Sequence, residues 1–379
     1  MATTPYSETL RPQQASRPPI SLIAAAALAS TALLAGYLFR LVNWRHAALF
    51  IIGAFAGLVL YHAAFGFSTA WREAIINRRS AGLRAQMVML VLASTLFVIL
   101  LSLPQPVFGL TLQPNLAPLS LSVVFGAFLF GIGMQLGGGC ASGTLYTAGS
   151  GNTRMVVTLA AFILGSLIAT RHVFFWNSVP SFQPVSLLVS FCPLAAIVIT
   201  FIVCGGIGYA AAQLERARHG AITPITAVPD SISNSLSFLR GPWPLLWGAI
   251  GLVVVNVATL LLAGRPWGIT SALALWGAKF ALAIGIDVSS WPYWSEGPRA
   301  AALSAPVLSD VTSVMDIGIM LGALTAAGFA GRFAPVWRIP WKSLAAALIG
   351  GLLLGYGSRI SFGCNIGAYF SGVASTSLH

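Results

Sequence analysis

The residues best placed to do chemistry are two cysteines set among glycines: Cys140 in GGGCASGTLY (137–146) and Cys364 in FGCNIGAYF (362–370). Glycine permits a sharp turn and close backbone approach. The stretches that follow, ASGTLYTAG and NIGAYFSGV, read as short helices restarting at each cysteine. A helix start presents free N–H groups and the positive end of its dipole, which attract an anion. The same setting makes a thiol a better donor or nucleophile. The pattern predicts a constriction formed by the Cys140 and Cys364 thiols and the backbone amides of Gly139, Ser142, Asn365 and Ile366, with Gly143, Gly363 and Gly367 shaping the turns. Ser142, Thr144, Asn365 and Ser371 would serve equally as helix caps.

The elements that hold these cysteines read as duplicated. Counted from each cysteine, glycine falls at −14, −9, −7, −1 and +3, and an aromatic at +6 (Tyr146, Phe370). A weaker pair lies upstream: FGFSTAW (65–71) against WGITSAL (267–273), giving Gly–hydroxyl turns at Gly66, Ser68 and Thr69 and at Gly268 and Thr270. Interrupted helices in two related halves, meeting near the bilayer midplane, are a transporter pattern. Backbone that leaves the helix in hydrocarbon must be buried in protein or line a wet cavity. The upstream glycines Gly126, Gly131, Gly350 and Gly355 also suit close helix packing.

Composition fixes the class. Of 379 residues, 57% are hydrophobic and 7% charged, and the mean hydropathy is +0.86. A soluble domain carries about 25% charged residues. Apolar runs recur at Ile20–Phe39, Ala47–Ala64, Met87–Leu103, Leu119–Leu136, Met155–Thr170, Val185–Ala212, Leu245–Ala263, Ile317–Ala330 and Leu344–Tyr356. Their lengths suit or nearly suit a bilayer crossing. The expected fold is an all-α polytopic membrane protein of two pseudo-symmetric halves, with re-entrant short helices meeting at a central constriction.

The net charge of +12 does not indicate nucleic acid, because the basic residues sit between apolar runs. Arg72, Arg78, Arg79 and Arg84 flank one loop, Arg216, Arg218 and Arg240 another, and both read as cytoplasmic. The uncharged loop Pro104–Pro118 fits the opposite face. The organisation read from these patterns is a polar tail (1–19), an anchor helix and loop (20–45), a first half (46–212), a basic cytoplasmic linker (213–242) and a second half (243–379). Only 15 residues follow Cys364, so the second half is expected to lack its last membrane helix. Cys192 and Cys204 read as packing residues. No cysteine pair has zinc-site spacing, and no metal or cofactor is implied. No phosphate-binding Gly-x4-Gly-Lys-Ser/Thr motif appears, so direct use of ATP is not expected.

GGGCASGTLY, GCNIGAYFSGVAS and GRPWGITSALALWGAKF (264–280) together resemble the YeeE/YedE family of bacterial inner-membrane proteins, over roughly residues 46–379. The resemblance implies thiosulfate uptake through an hourglass in which cysteine thiols pass the anion by S–H···S contacts. It also implies a soluble sulfurtransferase as partner. The family's third cysteine aligns with Gly66, so either Ser68 and Thr69 substitute for it or the anion differs. Arg265 and Lys279 are candidates for attracting the anion, and Lys279 and Asp316 for tuning the field at the constriction. Two readings compete with transport. One is a membrane-embedded sulfur-transfer enzyme using a cysteine nucleophile, although no histidine lies within ten residues of Cys140. The other is a non-transporting subunit of a membrane complex.

Overall fold

The computed structural model describes residues 20–227 and 237–379. The tail expected at 1–19 and part of the basic linker lie outside the described residues. Most of the described residues are helical, because the apolar runs leave few positions where the backbone could find water. The main helices are α1 (Ile20–Leu41), α2 (Trp44–His62), α3 (Phe67–Arg72, continuing as a π-turn over Glu73–Asn77), α4 (Ala81–Leu101), α5 (Leu121–Gly137) and α6 (Ala141–Gly149). They continue as α7 (Thr153–Arg171), α8 (Pro193–His219), α9 (Leu245–Ala263), α10 (Thr270–Ala283), α11 (Val311–Ala330) and α12 (Trp341–Ile360). A π-helical segment, Asn365–Ser371, runs into the short turn Gly372–Ala374. Among the described residues, nine helical stretches are long and apolar enough to span a membrane. The protein is an all-α, multi-pass membrane protein, as composition predicts.

Small residues bring the helices together. A side chain at Gly53 would collide with the Met315 backbone, and one at Gly318 would meet the Phe50 carbonyl at 2.5 Å, so α2 and α11 touch backbone to backbone. A side chain at Gly350 of α12 would collide with the Gly137 amide of α5, and one at Gly355 with the Phe162 carbonyl of α7. Lipid gives apolar helices little reason to associate, so this close packing is what holds them. The packing reading of the repeated glycines thus fits Gly126, Gly350 and Gly355, while Gly131 has nothing within 4 Å.

The basic loops meet on one face. Glu215, fully buried near the end of α8, accepts from the Ser80 amide (3.1 Å) and the Thr223 hydroxyl (2.7 Å), and from the Ser80 hydroxyl. Arg79 and Arg84 stand 3.7 and 3.6 Å from its oxygens. One carboxylate therefore ties the segment around 71–84 to that around 213–227, in keeping with a shared face. On the opposite face, Leu119–Ser120 pairs antiparallel with Ser181–Phe182. Two sequence boundaries move. Pro193 starts α8, whereas an apolar run from 185 was expected, and the helix continues to His219, past the boundary at 212. Cys192 therefore sits at the N-cap of α8 and is exposed, correcting its assignment as a packing residue; Cys204 is buried as expected.

Candidate functional site

Each predicted cysteine turn is a break between helices. In the first, α5 ends at Gly137, Gly138 adopts a left-handed φ of 90°, and Cys140 is extended at the N-cap of α6. Arg154 of α7 donates to the Leu136 carbonyl (2.7 Å) and the Gly137 carbonyl (3.0 Å), satisfying acceptors that the end of α5 would otherwise strand. The Cys140 carbonyl accepts from the Thr144 amide (2.8 Å) and hydroxyl (2.9 Å). Ser142 Oγ lies 3.3 Å from the Cys140 sulfur, so this hydroxyl serves the thiol and does not cap the helix. The Ser142 and Gly143 amides belong to the first turn of α6, which starts at this cysteine. A side chain at Gly143 would stand in ordinary contact with the thiol, at 3.6 Å.

The second turn is more strained. After α12, Phe362 takes a left-handed φ of 59°, a conformation that costs a bulky residue energy. Ser361 Oγ donates to the Gly357 carbonyl (2.8 Å) and the Gly363 carbonyl (3.2 Å), holding the bend. A Cβ at Gly363 would meet the Ala368 amide nitrogen at 2.6 Å, so the close approach there requires glycine. Cys364 is extended, and its carbonyl accepts from the Ala368 amide at 2.8 Å. The Ile366 and Gly367 amides belong to the first turn of the π-helical segment that starts at this cysteine. The Asn365 side-chain oxygen is buried without a partner. Both thiols are free and 3% exposed, belong to one apolar core, and sit on segments that pack against each other.

The Gly–hydroxyl turns flank this core. Gly66 precedes α3, whose Phe67 stands edge-on to Tyr369 at 6.3 Å. Gln86 of α4 donates to the Phe67 carbonyl (3.1 Å). Gly66 and Thr69 line a cavity of about 210 Å³ that also touches Arg79 of the basic-loop face. Ser68 lies beside them on α3, half-buried. In the other turn, Asn256 of α9 accepts from the Trp267 amide (3.0 Å), and Ser371 Oγ donates to the Trp267 carbonyl (2.7 Å). Gly268 and Thr270 line a cavity of about 310 Å³ with Asn115, Arg265, Arg359, Gly363 and Gly367. Arg265 and Arg359 also line an adjoining space of about 690 Å³ that reaches Tyr293, Arg299 and Asp310. These two spaces form a basic vestibule on the side of loop 104–118, with the neighbours of Cys364 in its wall.

Arg265 is therefore placed at the vestibule, where it donates to the Thr312 hydroxyl (3.1 Å). Lys279 is not brought to the thiols. Its ammonium is held by the carbonyls of Leu303 (2.7 Å) and Ala305 (2.5 Å). Sequence reasoning passed over Arg359, whose guanidinium donates to the Tyr293 hydroxyl (2.9 Å) and Thr270 Oγ1 (3.4 Å). One signal pointed to it: Arg359 is the only charged residue in either repeated block, 126–146 or 350–370. Asn115 was also passed over. It ties loop 104–118 down onto the second cysteine turn, donating from its side chain to the Gly367 carbonyl (2.6 Å) and from its amide to Ser375 Oγ (3.0 Å).

The chain is similar to known transporters. The thiosulfate transporter TsuA of Spirochaeta thermophila is 28% identical over 333 residues, covering 86% of this chain and 91% of that one. The probable transporter YedE of Escherichia coli is 26% identical over 139 residues, 36% of this chain and 33% of its own. The thiosulfate transporter TsuA of Escherichia coli is 23% identical over 338 residues, 84% of each. A family model described as sulphur transport matches residues 62–379, most of the chain. By that match the protein belongs to the sulphur-transport family, the YeeE/YedE membrane proteins that carry sulfur compounds.

Proposed function

We propose that the protein carries thiosulfate inward across a bacterial inner membrane, using Cys140 and Cys364 as successive thiol stations and releasing the anion unchanged. The observation that carries this reading is the position of the two buried thiols, on touching helix breaks between a basic vestibule at one face and the Gly66 cavity at the other. In the vestibule, Arg265 and Arg359 draw in the anion. At Cys364 the amides of Ile366 and Gly367 replace part of its water, and the thiol donates S–H to its terminal sulfur. Cys140, with the Ser142 and Gly143 amides, repeats this arrangement one step inward. A soft sulfur acceptor suits a thiol donor better than the hard oxygens of sulfate do. Two helix dipoles add about half an elementary charge each against the dianion.

The two stations read as equivalents in inverted halves. The packing of α2 against α11 is matched by that of α9 against α4, and the contact of α6 with α11 by that of Gly372–Ala374 with α4. Pairs α5–α12 and α2–α9 would then lie on the pseudo-twofold axis. Inward movement of a dianion opposes a negative-inside potential by about 2.3 kcal/mol per charge per 100 mV. Consumption of the sulfane sulfur by a soluble sulfurtransferase at the basic-loop face would draw transport forward.

The test is growth of an uptake-deficient bacterium on thiosulfate as sole sulfur source. Expression of the wild-type chain is expected to restore growth, Cys140→Ala and Cys364→Ala to abolish it, and Cys192→Ala to leave it intact. Unimpaired growth of both thiol variants would remove the relay. A persulfide on either cysteine after turnover, seen by mass spectrometry, would replace transport of the intact anion with sulfur-transfer chemistry.

A further inference from the structure

We propose that Asp316 is the proton-binding residue of this carrier, so that one proton crosses with each sulfur anion. The inference rests on the transport reading above. Asp316 is fully buried in α11, and neither of its carboxyl oxygens has a hydrogen-bond partner. A carboxylate that nothing compensates is costly in hydrocarbon, and binding a proton removes that cost. Ionisable groups buried inside membrane helices are rare and mark ion pathways.

The surroundings supply a route. Thr312 and Ser313 lie four and three positions before Asp316, on the same helix face and one turn closer to the vestibule. The Thr312 hydroxyl accepts from Arg265 and from Ser271, each at 3.1 Å. Ser313 Oγ donates to Asp310 Oδ2 (2.7 Å) and accepts from Trp276 Nε1 (2.9 Å). Asp310 lines the vestibule. Carboxylate and hydroxyl groups thus run from the vestibule to within one helical turn of Asp316. Its neighbours Met315 and Ile319 belong to the same apolar core as Cys140 and Cys364, and α11 packs against α6, the helix that starts at Cys140. A proton taken from vestibule water forms an O–H bond on Asp316 while the anion sits beside Cys364. It leaves for water at the opposite face once the anion has moved on, and no electron changes hands.

The other titratable groups around α11 are engaged or distant. Asp310, the N-cap of the same helix, is its acidic neighbour, and Arg265 is held on Thr312. From α10, Lys279 points to the Leu303 and Ala305 carbonyls. From α2, His46 bonds the Ser309 carbonyl (3.0 Å) at one end, and Tyr61 and His62 occupy the other. On α1, Tyr37 and Arg40 lie in the last turn. On α6, Tyr146 lies six positions after Cys140, half-buried. Arg240 ends the short turn Ser237–Arg240. None of them pairs with the Asp316 carboxyl.

The experiment uses the full chain in proteoliposomes with labelled thiosulfate. One arm measures accumulation under an imposed inward proton gradient. The other measures exchange of external for internal thiosulfate at equal pH, which needs no net proton movement. Accumulation by the wild type is expected to rise about tenfold per pH unit of gradient, as one proton per anion requires. Asp316→Asn should abolish that rise while exchange continues, and Asp316→Glu should restore part of it. Infrared spectroscopy should show a protonated carboxyl band in the wild type that Asp316→Asn removes. Wild-type exchange with accumulation indifferent to the gradient, a gradient response kept by Asp316→Asn, or no such band in the wild type would each overturn the proposal and leave transport standing. Absence of any wild-type exchange would instead overturn the transport reading, and the coupling with it.

Discussion

The two cysteine turns share their glycines position by position and differ in what surrounds them. The Cys140 turn is sealed. Arg154 satisfies the carbonyls before it, a regular α-helix follows it, and Ser142 sits on its thiol. The Cys364 turn is strained and open-sided. It passes through left-handed Phe362, continues as a π-helix, leaves the Asn365 oxygen without a partner, and presents Gly363 and Gly367 to a cavity. Irregular helix geometry and an unpartnered buried side chain are features found at functional sites. On the proposed relay, this difference would make Cys364 the first, adaptable station and Cys140 the fixed one.

The largest contrast is steric. A methyl at Gly363 collides with backbone at 2.6 Å, whereas one at Gly139 meets its nearest atom at an ordinary 3.5 Å. Overpacking of this kind costs about 1–3 kcal/mol, which corresponds to roughly tenfold or more in the population of a competent turn. Gly363→Ala is therefore expected to cut thiosulfate uptake by that factor and to lower the melting temperature in detergent. Gly139→Ala should change either by less than about twofold. Equal losses in the two variants would erase the distinction between a strained turn and a relaxed one.

The arginines near each turn give the next contrast. Arg359 faces the vestibule, and Arg154 caps α5. Removing a charge that steers an anion raises KM and flattens the salt dependence of uptake, here by about tenfold for Arg359→Gln, with kcat little changed. Arg154→Gln forfeits two hydrogen bonds and should lower stability by about 1–3 kcal/mol, with KM unchanged. Uptake kinetics at two salt concentrations, read beside thermal unfolding, separate the two outcomes. A KM effect confined to Arg154→Gln would place the first station at Cys140.

How far the sequence reveals this arrangement follows from the reach of each signal. Apolar runs mark the nine membrane-length stretches because hydropathy is a local property. The cysteine blocks stand out because the same glycine spacing occurs twice. Helix α10 was legible only as the Gly268 turn, since its 14 residues are too few for a span. Glu215 and Asn115 escaped notice because their partners lie far along the chain, 135 positions away for Ser80 and 252 for Gly367. Periodicity carries no information about such pairs. Lys279 showed the converse limit: an apolar neighbourhood in sequence did not reveal that the carbonyls of Leu303 and Ala305 would claim its ammonium.

The smallest effect is the most discriminating. Ser142→Ala removes one hydroxyl, 3.3 Å from the Cys140 sulfur, and a neutral hydrogen bond contributes about 0.5–1.5 kcal/mol. Both stability and uptake should fall modestly, uptake by no more than about tenfold. Asn365→Ala behaves differently, because its buried oxygen has no partner to lose and its removal can be neutral or stabilising. If that side chain turns its Nδ2–H donors to the anion at the first station, KM rises while the melting temperature holds or increases. A fall in melting temperature with KM unchanged would make Asn365 an ordinary structural residue, and the Cys364 turn would lose its claim to be the adaptable one.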